Sequence, residues 1–150
     1  MNQAPSIHAS AVLVGARAVL IQGPSGSGKS RLALALLQAA SQGVIPFACL
    51  VADDRAHVQA MHGRLLVRPP EALAGLIEIR GLGIRRVPHE PLAVVGLVVE
   101  LGQVGAERMP EPAQKEVEIA GISLPRLAVA GRADPLPLLL AELQIRGDSG

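Results

Sequence analysis

The sequence predicts an α/β fold in which flanking helices cover a mixed β-sheet. Its clearest signal is a glycine-rich loop between a short apolar strand, Ala18–Gln22, and a Leu- and Ala-rich helix, Ser30–Ala40. The predicted strands outnumber the helices, so a regular alternation of the two is not expected. With 150 residues, of which 49% are hydrophobic, the chain can bury a core as one domain spanning 1–150.

Apolar runs separated by turn residues define the elements in chain order. The predicted strands are Ile7–Val14, Ala18–Gln22, Phe47–Ala52, Ala56–Ala60, Arg64–Arg68, Ile77–Ile84, Leu92–Leu101, Val117–Ile119 and Leu127–Val129. The predicted helices are Ser30–Ala40, a short helix from Pro69-Pro70 through Leu76, and Leu136–Ile145. His62-Gly63 is read as a hairpin turn, and Gly102–Lys115 as a mobile polar loop. We expect the last five residues to be frayed.

Composition excludes several classes of function. A formal net charge of +1 gives no basic stripe for nucleic acid, and the single aromatic residue, Phe47, cannot form a stacking platform. Cys49 has no internal disulfide partner and is predicted to be a small core residue. No apolar run reaches the roughly 20 residues needed to span a bilayer, and no signal peptide is recognisable. A cytoplasmic protein without a membrane or nucleic-acid partner is expected.

The glycine-rich loop matches the complete phosphate-binding pattern G-x-x-x-x-G-K-[ST]. Its residues are Gly23, Pro24, Ser25, Gly26, Ser27, Gly28, Lys29 and Ser30. Glycines let backbone N–H groups turn towards phosphate oxygens, and the positive end of the following helix faces the anion. Lys29 supplies a charge to the phosphates, and the Ser30 hydroxyl is a Mg²⁺ ligand. The alternative is a chance glycine turn at a helix start, which the filled positions and the strand–helix context disfavour.

Two acids, Asp53 and Asp54, end a predicted apolar strand. Ligands of open α/β sheets lie outside the carboxyl ends of the strands, so the pair faces the loop if this strand neighbours Ala18–Gln22. One carboxylate could then hold Mg²⁺ while the other accepts a proton from an attacking hydroxyl. Solvated acids in a turn are the alternative.

The segment Ile77–Gly83 alternates, with the side chains of Glu78 and Arg80 on one face. Gly81 and Gly83 are read as allowing close approach of another backbone. From this pattern alone, a strand with a solvent-facing ion pair and a bulge is favoured over a functional site. The four histidines show no metal-ligand spacing.

These pieces together resemble the catalytic domain of HPr kinase/phosphorylase. The matching residues, in the order of that family, are His8, Gly28-Lys29-Ser30, Leu50-Val51-Ala52-Asp53-Asp54 and Glu78-Ile79-Arg80-Gly81-Leu82-Gly83-Ile84. The resemblance runs from about Ser6 to Arg132. It implies a P-loop kinase domain of the short form, which lacks the family's separate N-terminal domain and has shortened closing helices.

The resemblance also implies roles for individual residues. Lys29 binds the phosphates of ATP, and Ser30 and Glu78 hold Mg²⁺ with Asp53 nearby. Asp54 accepts the proton of the acceptor serine, with His8 close to its carboxylate. Arg108 steadies the reacting phosphate, and Arg132 belongs to a late loop tied to reverse phosphorolysis. The implied partner is an HPr-like phosphocarrier, and the family's hexamer makes a homo-oligomer possible.

Three functions follow from these readings. The leading one is an ATP-dependent protein serine kinase acting on an HPr-type carrier of the phosphotransferase system. The second is a small-molecule kinase or plain NTPase, for which no acceptor-binding lid is recognisable. The third is a nucleotide-sensing module without transfer activity, which need not keep the chemically competent residues Lys29, Asp54 and Glu78.

Overall fold

The structure, a computed structural model, describes the backbone of residues 6–103 and 115–149 and the side chains as far as Gln144. Its strands are β1 (Ser6–Ile7), β2 (Ala9–Val14), β3 (Arg17–Gln22), β4 (Ala48–Ala52), β5 (Ala56–Met61), β6 (Arg64–Arg68), β7 (Leu76–Ile79), β8 (Gly83–Arg86), β9 (Ala93–Gln103), β10 (Glu116–Ile119) and β11 (Ile122–Ala130). The helices are α1 (Lys29–Ser41) and α2 (Pro135–Ser149), with a single 3₁₀ turn at Glu71–Leu73.

Strand β9 is the centre of a mixed sheet. It runs parallel to β3 along Val95–Glu100 and parallel to β11 from Val98 onwards, while its first two residues pair antiparallel with β6. The strand order is β1-β5-β6-β9-β3-β2-β4, with β11 also along β9 and β10 paired to β11. Strands β7 and β8 form a separate hairpin. The predicted mixed α/β fold is confirmed.

Aliphatic side chains fill two layers of core, one on each face of this sheet. Because strand side chains alternate, Leu20 and Ile21 of β3 point into different layers. The layer of Ile21 packs beneath α1, and the layer of Leu20 packs against β5 and β6. The only aromatic residue, Phe47, is 45% exposed, so the described core is aliphatic as expected. Neither helix within the described ranges is long and apolar enough to cross a membrane.

Cys49 of β4 is buried, as predicted. Burial, together with the negative charge of Glu90, raises the pKa of its thiol above the usual value. The segment bearing Glu90 runs along β4, where the Glu90 amide donates to the carbonyl of Leu50 at 2.9 Å. The thiol is therefore a neutral core group and not a reactive one.

The hairpin β7–β8 replaces the single extended strand expected over Ile77–Ile84. Gly81 and Gly83 have φ values of 90° and 87°, which turn the chain back on itself. A Cβ placed on Gly81 would meet nothing within 4 Å, so close approach of another backbone does not explain it. The predicted close approach of another backbone is wrong, because Gly81 and Gly83 adopt positive φ values to reverse the chain.

Several element boundaries also differ from the prediction. His8 separates β1 from β2, so Ile7–Val14 is not one strand. The proposed helix from Pro69 to Leu76 is only the 3₁₀ turn, because the few residues between Pro70 and Gly75, whose φ is 78°, are too short a segment to propagate a helix. Helix α2 continues to Ser149, through most of the residues expected to fray. Gly102 and Gln103 belong to β9, and the rest of the predicted mobile loop up to residue 114 lies outside the described residues.

Candidate functional site

The loop Gly23–Ser30 connects the end of β3 to the start of α1, as the motif requires. Gly26 and Gly28 have φ values of 80° and 101°, a region that disfavours residues with a Cβ. Gly28 is the N-cap of α1, and its carbonyl accepts the first helical hydrogen bond from Leu32 at 2.9 Å. The loop backbone is thus set by glycine conformation at the positive end of a helix, which suits an anion.

Close packing against β9 fixes where the loop begins. A Cβ on Gly23 would lie 2.5 Å from Ser27 Oγ and 3.0 Å from Leu101 Cβ, so the serine hydroxyl and β9 would both have to shift. Ser27 Oγ is buried and has no hydrogen-bond partner within the described structure. An unpaired hydroxyl inside a phosphate-binding loop is a donor that a bound phosphate oxygen can satisfy.

Lys29 lies folded back onto its own loop. Its ammonium Nζ donates to the carbonyl oxygens of Gly23 at 3.0 Å and Pro24 at 3.3 Å, and the residue is only 7% exposed. These contacts hold the cation against the first two residues of the loop. A phosphate entering the loop meets a positioned charge and not a freely moving side chain.

A buried carboxylate, Asp53, ties three segments of the chain together. Its Oδ1 accepts hydrogen bonds from Ser30 Oγ at 2.6 Å and Ser10 Oγ at 3.0 Å. Its Oδ2 accepts from the backbone N–H of Glu78 at 3.0 Å. Asp53 is 8% exposed, and hydrogen bonds to the ionised form are what make such burial tolerable. The loop, β2, β4 and the hairpin β7–β8 therefore meet at one carboxylate.

Asp54, the next residue, projects into solvent from an unusual backbone conformation. Its φ is 67°, a region that Asp and Asn enter more readily than most residues. Its N–H donates to Ser10 Oγ at 3.0 Å, and its carbonyl accepts from the N–H of Ala9 at 3.1 Å. The backbone is held on both sides while the carboxylate is left exposed.

The topology explains how the two acids reach the loop. The predicted convergence was conditional on β4 neighbouring β3, but β4 pairs with β2, and β2 pairs with β3. Because β2 is antiparallel to both, β3 and β4 still end at the same edge of the sheet. The same arrangement brings the beginning of β2 to that edge. The condition of direct adjacency is not met, yet Asp53 still reaches the loop, where its carboxylate accepts from Ser30.

His8 and the hairpin residues surround this edge. His8 is exposed and lies between Ile7, which pairs with Ala56, and Ala9, which bonds to Asp54. Glu78 is exposed, beside its own amide contact with Asp53. Ile77 is buried on the opposite face, so the predicted alternation of this segment is confirmed.

The remaining predicted residues that the structure describes are exposed. Arg80 and Gly81 are exposed at the tip of the hairpin β7–β8. Arg132 is exposed in the turn after β11, next to Gly131, from which a Cβ would contact Gly102 at 3.8 Å. Arg108 lies outside the described residues.

Ser10 is a site residue that sequence reasoning missed. Its hydroxyl donates to Asp53 and accepts from the amide of Asp54, so one buried group fixes both acids. The available signal was a lone serine, with an exposed fraction of 0%, inside an otherwise apolar strand. A buried polar group of this kind requires partners, and the partners here are the acids.

The donor set suits a hard cation shared with a nucleotide. The hydroxyl of Ser30 and the carboxylates of Asp53 and Glu78 are oxygen ligands, which Mg²⁺ prefers. Within residues 6–103 and 115–149, no three His, Cys, Asp or Glu side chains group closely enough to hold a metal alone. Mg²⁺ in kinase sites uses one or two carboxylates together with substrate phosphates, so the residues present fit that ion.

Known proteins share this sequence and fold. The family model described as HPr Serine kinase C-terminal domain matches residues 1–130. The HPr kinase/phosphorylase of Streptococcus thermophilus (strain ATCC BAA-491 / LMD-9) is 33% identical over 135 residues, which cover 83% of this chain and 41% of the relative. That of Enterococcus faecalis is 44% identical over 80 residues, covering 53% of this chain and 24% of the relative.

A solved structure, described as the Hpr(Ser) kinase/phosphatase from Coxiella burnetii, matches with a TM-score of 0.73 and 28% sequence identity. The match covers 97% of this chain and 99% of that chain. The chain spans less than half the length of the curated relatives that it matches. The expected family and the expected fold are therefore both confirmed.

Proposed function

We propose that this chain transfers a phosphoryl group from ATP to a serine of an HPr-type phosphocarrier protein. The chain belongs to the family of HPr serine kinase C-terminal domains. The observation that carries the proposal is the junction at Asp53, which links the phosphate-binding loop to an exposed neighbouring acid. A kinase needs a phosphate cradle and a positioned base: the loop bonded to Asp53 supplies the cradle, and the adjacent Asp54 supplies the base.

In this proposal Asp54 is the general base. Its carboxylate accepts the hydroxyl proton of the acceptor serine while the serine oxygen forms a bond to the γ-phosphorus and the bond to the ADP oxygen breaks. The clamped backbone of Asp54 supports this role, because hydrogen bonds from Ala9 and to Ser10 fix its position. His8 lies beside this segment and is proposed to orient the carboxylate.

Lys29 and the loop amides bind the phosphates of ATP in this proposal. Ser30, Asp53 and Glu78 hold Mg²⁺, which when bound neutralises charge on the phosphates. The hydrogen bond from Ser30 to Asp53 supports the assignment, since two oxygen ligands already lie 2.6 Å apart. The unpaired hydroxyl of Ser27 supports phosphate binding in the same loop.

The acceptor is proposed to approach over the hairpin β7–β8. Leu82 and Ile84 are 59% and 62% exposed there, and Arg80 and Gly81 form the exposed tip of the hairpin, whose Glu78 amide contacts Asp53. Arg108 is proposed to steady the reacting phosphate and Arg132 to serve the reverse reaction with inorganic phosphate, both from family resemblance. We further propose a cytoplasmic, single-domain, homo-oligomeric enzyme, whose assembly light scattering can measure.

The direct test mixes the purified chain with Mg-ATP and an HPr-type carrier and identifies phosphoserine by mass spectrometry. We expect phosphate on one serine and none with Lys29→Ala. The matched control is Lys115→Ala, which removes an exposed lysine outside the phosphate-binding loop. Replacing ATP with inorganic phosphate, starting from the phosphorylated carrier, measures the reverse reaction.

Binding of ATP without transfer to any carrier would overturn the proposal and favour a nucleotide-sensing module. Hydrolysis of ATP without a protein product would favour an NTPase or a small-molecule kinase. Nucleotide binding, measured by calorimetry on the same sample, separates these outcomes from a protein that binds no nucleotide.

A further inference from the structure

A β-bulge near the end of β4 sets the direction of the acids that follow it. The pairing of β4 with β2 shifts register between Ala11 and Val12, so that Val51 of β4 is an extra residue. Val51 and Ala52 are consecutive, yet both pack in the core layer on the side of β5 and β6. Strict alternation would send the side chain of Asp53 to that layer as well. After the bulge it points to the other face, where it meets the start of α1.

Ser10 of β2 lies on the same face as this redirected carboxylate. Its neighbours Ala9 and Ala11 pack in the opposite layer. The Ser10 hydroxyl donates to Asp53 Oδ1 at 3.0 Å and accepts from the N–H of Asp54 at 3.0 Å. A chain of two hydrogen bonds therefore runs from the amide of one acid, through a single hydroxyl, to the carboxylate of the other. Each bond in such a chain polarises the next.

The backbone of Asp54 depends on contacts of this kind. Its φ of 67° is sparsely populated by residues other than glycine, so the surrounding structure must hold it. Two adjacent residues of β2 do so: Ala9 donates its N–H to the Asp54 carbonyl, and Ser10 accepts from the Asp54 N–H. Only the contact at Ser10 uses a side chain. It is therefore the contact that a substitution in β2 can remove without altering the strand.

We propose that Ser10 is a positioning residue that fixes the base Asp54 relative to the carboxylate of Asp53. The proposal rests on the proposed function, which assigns the base to Asp54 and Mg²⁺ binding to Asp53. In phosphoryl transfer the attacking oxygen, the phosphorus and the leaving oxygen must be in line, so the base and the phosphate site need a constant separation. Ser10 has an exposed fraction of 0%, so it acts through the two acids and not on the substrates.

The first test is the kinetics of Ser10→Ala with Mg-ATP and an HPr-type carrier. The variant loses both hydrogen bonds, so the base is less well placed, and we expect kcat to fall about tenfold or more. Asp53 keeps its contacts with Ser30 and the Glu78 amide, so the KM for ATP should change by less than about threefold. Ser41→Ala, which removes an exposed serine at the end of α1, is the matched control and should leave both constants unchanged.

A double-mutant cycle separates positioning of the base from a general loss of structure. In the Asp54→Asn background no base remains to be positioned, so adding Ser10→Ala should lower the single-turnover rate by less than about threefold. A purely structural role predicts the same factor in both backgrounds, because independent effects multiply. If Ser10→Ala does not fold, Ser10→Cys takes its place in the cycle, since a thiol is of similar size but is a weaker donor and acceptor.

A second measurement needs neither nucleotide, metal nor carrier. The amide of Asp54 is bonded to the Ser10 hydroxyl, so its hydrogen exchange in the isotope-labelled chain should be about tenfold faster in Ser10→Ala than in the wild type or Ser41→Ala. Unchanged exchange would overturn the proposal, because the chain of hydrogen bonds would not exist in solution.

Failure of this proposal is distinct from failure of the proposed function. A wild-type chain that phosphorylates no carrier would reject the function on which the role of Ser10 rests. An active wild type with an equally active Ser10→Ala would reject the role of Ser10 alone. The same loss of rate in both backgrounds of the cycle would also reject it and leave Ser10 as a structural residue.

Discussion

The two ends of the central strands β3 and β9 use their polar groups in opposite ways. At the loop end, Asp53 accepts three hydrogen bonds and Lys29 donates two, and both residues are at least nine-tenths buried. At the far end, Arg17 and Arg64 are exposed and have no hydrogen bond or ion pair among the described residues. Contacts within the protein hold the polar groups at the loop end, whereas the charged side chains at the far end are exposed to solvent.

This difference distinguishes polar groups that are held in fixed positions from charged groups that are exposed to solvent. Groups that must act at a fixed place in a reaction are held in that place before the substrate arrives, which lowers the cost of reaching the transition state. Exposed charges that take no part in such a step need no such network. The loop end should therefore be sensitive to small changes in geometry, while the far end should respond mainly to changes in charge.

The largest effect is expected for Asp54→Asn. Asparagine tolerates the φ of 67° as well as aspartate does, so the backbone should stay in place. Loss of the base should lower the rate of serine phosphorylation about 10²- to 10⁴-fold while nucleotide binding survives. Kinetic assays with Glu118→Gln, an exposed acid of β10, provide the control. Full activity of the Asp54→Asn variant would show that Asp54 is not the base.

Asp53→Asn should damage both stability and activity. An amide at this position has one oxygen in place of two, so at least one of the donors Ser30, Ser10 and the Glu78 amide loses its acceptor. We expect the free energy of unfolding to fall by about 1–3 kcal/mol, together with a weaker effect of Mg²⁺ on nucleotide affinity. Urea denaturation and calorimetry measure the two changes. Unaltered unfolding would mean that the three contacts are not maintained in solution.

Gly75→Ala should disturb the hairpin β7–β8 and, through it, Asp53. A Cβ on Gly75 would lie 2.7 Å from Nδ1 of His89, whereas one on Gly43 would meet nothing within 4 Å. The φ values are 78° and 79°, so Gly43→Ala controls for backbone strain. Urea denaturation of the two variants should differ by about 1 kcal/mol or more, with Gly75→Ala the less stable. Equal loss in both would assign the whole effect to φ.

The smallest effect is expected for Glu100→Gln at the ion pair with Arg126. The two side chains are 21% and 17% exposed, so their attraction is stronger than at a free surface but still partly screened. Thermal or urea unfolding should show a loss of about 1 kcal/mol at low salt that shrinks as salt is added. A loss independent of salt would indicate packing and not charge.

Local sequence patterns predicted the loop, the strand before it and the helix after it, because glycine positions and an apolar strand are local signals. The hairpin turn at His62-Gly63 was predicted for the same reason, and both residues have positive φ values, 52° and 77°. The acids at the end of β4 were also recognised. Their partner was not, since the pairing of Ser10 with Asp53 spans 43 positions of sequence.

Long-range pairing explains the other errors. No local signal states that β2 lies between β3 and β4, so the strand order could not be deduced from the sequence. The two glycines at 81 and 83 allow either close packing or a reversal of the chain, and only the surrounding structure decides between them. The burial of Asp53 likewise depends on donors from three separate segments.

The antiparallel course of β2 has a practical consequence for anyone who handles or fuses this domain. β2 starts at the edge of the sheet that carries Asp53 and Asp54, and Ser6 is only two residues from His8 at that edge. A purification tag or a second domain joined ahead of Ser6 is tethered beside the acids and not at a remote corner. Such an attachment directly affects access to the site. The isolated domain should therefore carry its purification tag after α2 when it is assayed.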